Sequence, residues 1–172
     1  MTSLISTVQS VLATTPIHWQ SLTATLPAEL LNRSPAPGEW AALECLQHLV
    51  DTERWVFPVR LRCFLAGENF PNFDPDSQGT KPDLTAAPTA LATEFAHMRA
   101  ESLALFTPLT PADLSRTAIH SELGLVTLEE MLNEWAGHDP MHTVQAERAI
   151  MQPFIENSGP WKPYFRAHIA NQ

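Results

Sequence analysis

Four stretches of this sequence space their apolar residues at helical intervals, and none alternates them convincingly as a half-buried strand would. Four amphipathic helices each have a stripe to bury, so the pattern predicts an all-α four-helix bundle around one core. The first stretch runs through Leu4, Ile5, Val8, Val11 and Leu12, and Thr15 with Pro16 then restarts a helix toward Leu26, predicting a break there. The second, from Trp40 to Ala66, carries Leu43, Leu46, Val50, Trp55, Val59 and Leu65, with a bend expected at Pro58 and a stop at Gly67. The third opens with Pro88 in a first-turn position, carries Leu91, Phe95, Met98, Leu103 and Phe106, and ends before Pro108. In the fourth, Thr127 and Glu130 of "TLEE" form a capping box that satisfies two orphaned backbone N–H groups. It runs to about Met151 with Leu128, Met131, Leu132, Trp135, His138, His142 and Gln145 near one broad face.

The connections limit the topology. "NRSPAPGEW" is short and favours antiparallel first and second helices, whereas residues 67–87, rich in Pro, Asp, Gly and Asn, are long enough for a crossover to a parallel third helix. A connection of that length in a compact domain needs a reason. A second long connector, "TPLTPADLSRTAIHSELGLV", leads to the fourth helix. The tail, residues 152–172, holds three prolines and several aromatics and is expected to pack across a bundle end. With 172 residues the chain predicts one domain, the bundle occupying about residues 4–151.

Composition excludes several classes of partner. A formal net charge of −9, with only ten Lys and Arg, leaves no basic surface to neutralise phosphates, so no nucleic-acid partner is expected. No apolar run reaches the length of a membrane span, and "MTSLISTVQSVLATTP" lacks a basic start followed by an apolar block. Cys45 and Cys63 fall in one helical stretch, about 27 Å apart along its axis, too far to bridge each other. A reducing, cytoplasmic location follows as the expectation.

The chemistry concentrates in "WAGHDPMH", residues 135–142. His138 and His142 stand four apart on a helix, about 40° apart on its wheel, so both imidazoles leave the same side one turn apart. That is a good metal chelate, yet the spacing is unspecific in a chain with seven histidines. Pro140, between them, frees the carbonyl of Ala136 and breaks a local rule, as happens most often at functional or strained sites. A third ligand is needed, because catalytic zinc sites typically take three protein ligands and keep an open position. His48, in "ECLQHLVDTE", borders the bundle interior and is the best candidate. Each histidine taken alone fits equally a satisfied core residue. Glu44 and Asp51 share the side of His48 and are candidates to orient a ligand or to act as acid or base. Glu134 has the same ambiguity, Asp139 is expected to point to a neighbouring helix or to solvent, and His18, His97, His120 and His168 read as non-ligands.

Trp40 followed by seven residues and "HLVDTE", together with "HSELGLVTLEEMLNEWAGHDPMHTVQ", resembles the DinB-like family of metal-dependent bundle proteins. In that family a tryptophan precedes an HL-x-D-x-E helix, and a G-x-x-[TS]-L segment leads into an H-[DE]-x-x-H helix. The resemblance covers about residues 4–151. It implies a four-helix bundle in up-down-down-up order, often a homodimer, with one divalent metal on His48, His138 and His142. Pro140 is an addition of this sequence and not part of the pattern.

Three readings follow as expectations. The first is a metal-dependent enzyme, a thiol S-transferase or hydrolase, in which the ion lowers the pKa of water or of a low-molecular-weight thiol and a small molecule is the substrate. The second is a metal-binding structural or sensor bundle without turnover, and the third is an apo interaction module. Imidazole ligands suit several metals, with Zn or Ni expected first and Fe or Mn next. Metal would leave as the pH falls through the ordinary histidine range near 6.5.

Overall fold

Ser3 opens the first helix by accepting the Ser6 N–H at 3.2 Å, and α1 then runs without interruption from Leu4 to Thr25. The computed structural model describes residues 3–70 and 72–170. The break expected at Pro16 does not occur. Proline at that position cannot donate to the carbonyl of Leu12, but Arg99 donates to it instead, Nη1 to O at 3.0 Å. The cost of an interior proline is thereby offset by a side chain from another helix.

A single turn, α2 (Ala28–Leu31), lies in the first connection and buries Leu31. The second helical stretch is two helices, α3 (Ala42–Trp55) and α4 (Phe57–Ala66), joined at Val56. Pro58 sits in the first turn of α4, where its missing N–H is one of the orphans in any case. Gly67 ends α4 with φ of 73°, a left-handed conformation that favours glycine. The long connection contains one turn of helix, α5 (Pro75–Gln78), before α6 (Pro88–Ala104). The next connector is not irregular throughout: Thr117–His120 (β1) and Gly124–Thr127 (β2) form an antiparallel hairpin in which Thr117 faces Thr127 and His120 faces Gly124. Four-residue strands are too short for alternation to stand out in the sequence.

The last helix, α7 (Leu128–Glu156), starts on the expected capping box. Glu130 Oε2 accepts the Thr127 N–H at 2.7 Å, and the Thr127 hydroxyl accepts the Glu130 N–H at 3.2 Å. It continues past Met151 through both Pro140 and Pro153. The tail forms a 3₁₀ segment, Gly159–His168, tied back to α7 by Arg148 Nη2 to Ile169 O at 2.6 Å and Gln152 Nε2 to His168 O at 2.8 Å. Of its aromatics, Trp161 and Tyr164 are exposed and do not cover a bundle end, while Phe165 is half-buried.

Two apolar clusters fix the direction of each helix. One joins Ile5, Val8 and Leu12 of α1 to Leu61 and Phe64 of α4, Phe106 just after α6, and Leu128, Leu132 and Trp135 of α7. The other joins Trp19 of α1 to Leu43, Leu46 and Val50 of α3, Ala92 and Phe95 of α6, and Ala146 and Ile150 of α7. The chain therefore runs from the first cluster to the second in α1, back in α3–α4, back again in α6, and forward in α7. This is the up-down-down-up order, with residues 67–87 carrying the chain the length of the bundle so that α6 lies parallel to α3. Both α1 and α3 pack against α6 and α7. No helix among the described residues is long and apolar enough to cross a membrane.

Candidate metal centre

Where α3 crosses α7, His48, His138 and His142 converge, with one ring nitrogen of each within 4.8 Å of the others. The Nε2 atoms of His48 and His138 are 3.1 Å apart. Two nitrogens each bound about 2.0–2.1 Å from one ion, at tetrahedral or octahedral angles, have about this separation. His142 Nδ1 lies 2.9 Å from Gln145 Oε1, and an amide oxygen only accepts. The proton is therefore on Nδ1, leaving Nε2 with the lone pair a ligand needs. His138 Nδ1 is buried without a hydrogen-bond partner among the described residues.

Aromatic rings wall the cluster. Trp40 stacks on His142 at 5.8 Å with an interplanar angle of 19° and lies 5.1 Å from His48, while Phe57 meets His138 edge-on at 5.1 Å. Burial in this setting disfavours charged imidazoles. It pushes His48 down to about 4, His142 nearby adding to the effect and Asp51 opposing it. Burial likewise pushes His138 down to about 2, reinforced by the other two histidines, Arg99 and Arg60. His142 is lowered by burial, partly countered by its bond to Gln145 and by Asp139. All three rings are thus neutral at pH 7, the form that ligates metal, and they stay neutral below the ordinary histidine range. Three neutral imidazole nitrogens, one fixed in tautomer, fit a divalent ion of the Zn, Ni or Fe type.

Behind the histidines the bundle buries an ionic triad. Arg99 of α6 pairs with Glu53 of α3, Nε to Oε1 at 3.1 Å and Nη2 to Oε2 at 2.9 Å. It pairs with Asp139 of α7, Nη1 to Oδ2 at 2.5 Å and Nη2 to Oδ1 at 3.2 Å. With the Leu12 carbonyl, these contacts use all five guanidinium donors, as a buried charge requires. Asp139 follows His138, so a rotation of about 100° turns it from the histidine face toward α6. Arg99 and Glu53 were not among the residues the sequence singled out. A signal existed: Arg99 is four residues after Phe95 and seven before Phe106, on the stripe that faces the core.

Glu44 and Asp51 lie beside His48, and both are engaged. Glu44 Oε2 accepts the Ala41 N–H at 2.9 Å at the start of α3, and Oε1 pairs with Lys81 Nζ at 3.1 Å. Asp51, 1% exposed, accepts the Thr80 N–H at 2.7 Å and the Thr80 hydroxyl at 2.7 Å, as well as Gln47 Nε2 at 3.1 Å. The two carboxylates thus fasten Thr80 and Lys81 of the long connection next to His48, around a cavity of about 100 Å³ that Trp40 and His48 also line. This supplies the reason for the connection's length. Glu134 lies apart, half-exposed and 3.4 Å from Arg60. His18 pairs with Glu147, His97 is exposed near Glu101, His168 is exposed, and His120 belongs to the hairpin.

Comparison with known proteins gives one family and one fold. The family model described as the DinB superfamily matches residues 12–146. Among solved structures, the chain is similar to YfiT from Bacillus subtilis, described as a probable metal-dependent hydrolase with an unusual four-helix bundle topology. The two superpose with a TM-score of 0.75 over 87% of each chain at 18% identity. No curated protein matches the sequence.

Proposed function

The chain belongs to the DinB superfamily, and from that premise we propose that it is a divalent-metal-dependent enzyme of hydrolase or thiol S-transferase type, its ion held by His48, His138 and His142. The observation that carries the reading is the convergence of three neutral imidazole nitrogens, two of them 3.1 Å apart, from helices far apart in sequence. The description of YfiT as a metal-dependent hydrolase supports the same class. Zn or Ni is the first choice of metal and Fe or Mn the second.

Three protein ligands leave positions where a divalent ion makes water or a thiol a nucleophile near neutral pH. The chain's own residues prepare that setting. Gln145 holds the proton of His142 on Nδ1, and Trp40 and Phe57 keep water from the ring faces. Asp51 and Glu44 hold the long connection over the cluster, so their role is positioning: their oxygens already accept hydrogen bonds and are poorly disposed to take a proton from substrate. Neither cysteine is the nucleophile. Burial and the neighbouring Glu44 push Cys45 up to about 12, and Cys63 is raised by burial and by Glu68.

The substrate in this reading is a small molecule, with a low-molecular-weight thiol as co-substrate if the reaction is a transfer. The protein acts as a homodimer in the cytoplasm, where Cys45 and Cys63 remain free thiols. The small cavity beside His48 favours a second reading, an ion held in a metal-binding structural or sensor bundle without turnover.

Metal analysis of untagged protein, followed by assays with esters, amides, and electrophiles plus a panel of thiols, tests the proposal. About one divalent ion per chain and metal-dependent turnover are expected. Metal without turnover on any panel leaves the sensor bundle; no metal uptake overturns both readings.

A further inference from the structure

A second cavity, of about 390 Å³, lies between α4, Phe70, the hairpin and the first turns of α7. Its size suits a small molecule. Arg60 stands in its wall, only 7% exposed, yet its guanidinium is poorly satisfied. Nε has no partner among the described residues, and the two remaining contacts, to Glu134 Oε2 and His120 Nε2, are both 3.4 Å long. Arg99, by contrast, uses every donor at 2.5–3.2 Å.

The contact with His120 is more telling than its length. His120 Nδ1 accepts the backbone N–H groups of Glu122 at 3.2 Å and Leu123 at 3.4 Å, so the ring's proton sits on Nε2. Arg60 Nη2–H and His120 Nε2–H are therefore two donors facing one another, with no acceptor between them among the described residues. Such an arrangement is unfavourable until an oxygen enters it. Part of the wall is apolar: Phe70 packs on the Arg60 guanidinium at 5.1 Å, and Leu123, Leu125, Val126 and Met131 line the cavity beside it, with Glu130 and Glu134 on the α7 side. Leu123 and Leu125 are 72% and 66% exposed, apolar surface on a hairpin that none of the described residues covers.

We propose that this cavity binds a monocarboxylate with an apolar tail, the carboxylate bridging Arg60 and His120 and the tail lying along Leu123, Leu125 and Met131. The planar fork of arginine matches a carboxylate. Glu134, which also lines the cavity, and Glu122 lie close to Arg60 and leave little net positive charge there, which disfavours a dianion more strongly than a monoanion. Glu130 also lines the cavity but is committed to capping α7. None of the three histidines lines this cavity, and the proposal does not rest on the proposed metal chemistry.

Calorimetric titration of the full chain with octanoate, 1-octanol, acetate and inorganic phosphate tests it, with and without prior EDTA treatment. Octanoate is expected to bind with a Kd below about 1 mM. It should bind at least about tenfold more tightly than 1-octanol or acetate, and Arg60→Met should remove that advantage. EDTA should change neither result. Equal binding of octanol and octanoate, phosphate binding as tight as octanoate, or an unchanged affinity in folded Arg60→Met would overturn the proposal. Should Arg60→Met fail to fold, the comparison of ligands on the wild-type protein still decides.

Discussion

His48 Nε2 and His138 Nε2 lie 3.1 Å apart across α3 and α7, although 90 residues separate them in the chain. Neither helix holds a metal site by itself, since α3 offers one histidine to the cluster and α7 two. Replacing any of His48, His138 or His142 by alanine should remove most of the bound metal, because two imidazoles hold a divalent ion far less tightly than three. Alanine at His97 or His168 should leave metal content unchanged. Elemental analysis of the five proteins checks this, and loss that followed the control positions would refute the assignment.

Lowered histidine pKa values mean that protons displace metal only at correspondingly lower pH. Metal occupancy should therefore hold down to about pH 6 and fall toward pH 4 as His48 protonates, rather than fall near 6.5. The metal-free protein should lose stability over the same interval. Its unfolded state takes up protons below about 6.5, while in the folded state His48 resists them down to about 4 and His138 to about 2. Equilibrium dialysis and urea melts across pH measure the two effects, and a midpoint of metal loss at or above 6.5 would contradict the buried geometry.

Arg99→Met should destabilise the fold by about 3–5 kcal/mol, since Glu53 and Asp139 would stay buried without their counter-charge. Adding Glu53→Gln and Asp139→Asn to that variant should recover part of the loss. Urea denaturation supplies both numbers. A loss under about 1 kcal/mol for the single change would mean the triad is not closed in solution.

Asp51→Ala should release the long connection at Thr80, whose N–H and hydroxyl both donate to that carboxylate. Amide hydrogen exchange over residues 75–83 should accelerate at least about tenfold while that of α7 changes little. Unchanged exchange there would return Asp51 to the candidates for direct acid–base work.

Replacing Cys45 and Cys63 together by alanine should leave any thiol-transfer or hydrolytic activity largely intact, because burial keeps both thiols protonated at neutral pH. Activity lost with metal content preserved would move the nucleophile onto the protein.

Local physics made much of this molecule legible in its sequence. The spacing of apolar residues, the capping box at Thr127 and Glu130, the left-handed stop at Gly67 and the start at Pro88 each depend on neighbours within a turn or two, so they appear in the sequence as they do in the fold. The histidine pair on α7 was legible for the same reason. What the tertiary structure decided was everything set by contacts between helices. Pro16 was read as a break because its carbonyl acceptor, Leu12, is local, while the donor that rescues it, Arg99, comes from α6. Glu44 and Asp51 were read as candidate acids because spacing places them beside His48, yet it takes the folded connection to bring Thr80 and Lys81 to them. The donor pair of Arg60 and His120 arises likewise from the meeting of segments remote in sequence, whereas the hairpin is local and was hidden because its four-residue strands are too short for alternation to stand out. Helical periodicity records which face of a helix is buried; it carries no record of which distant polar group satisfies a charge on that face.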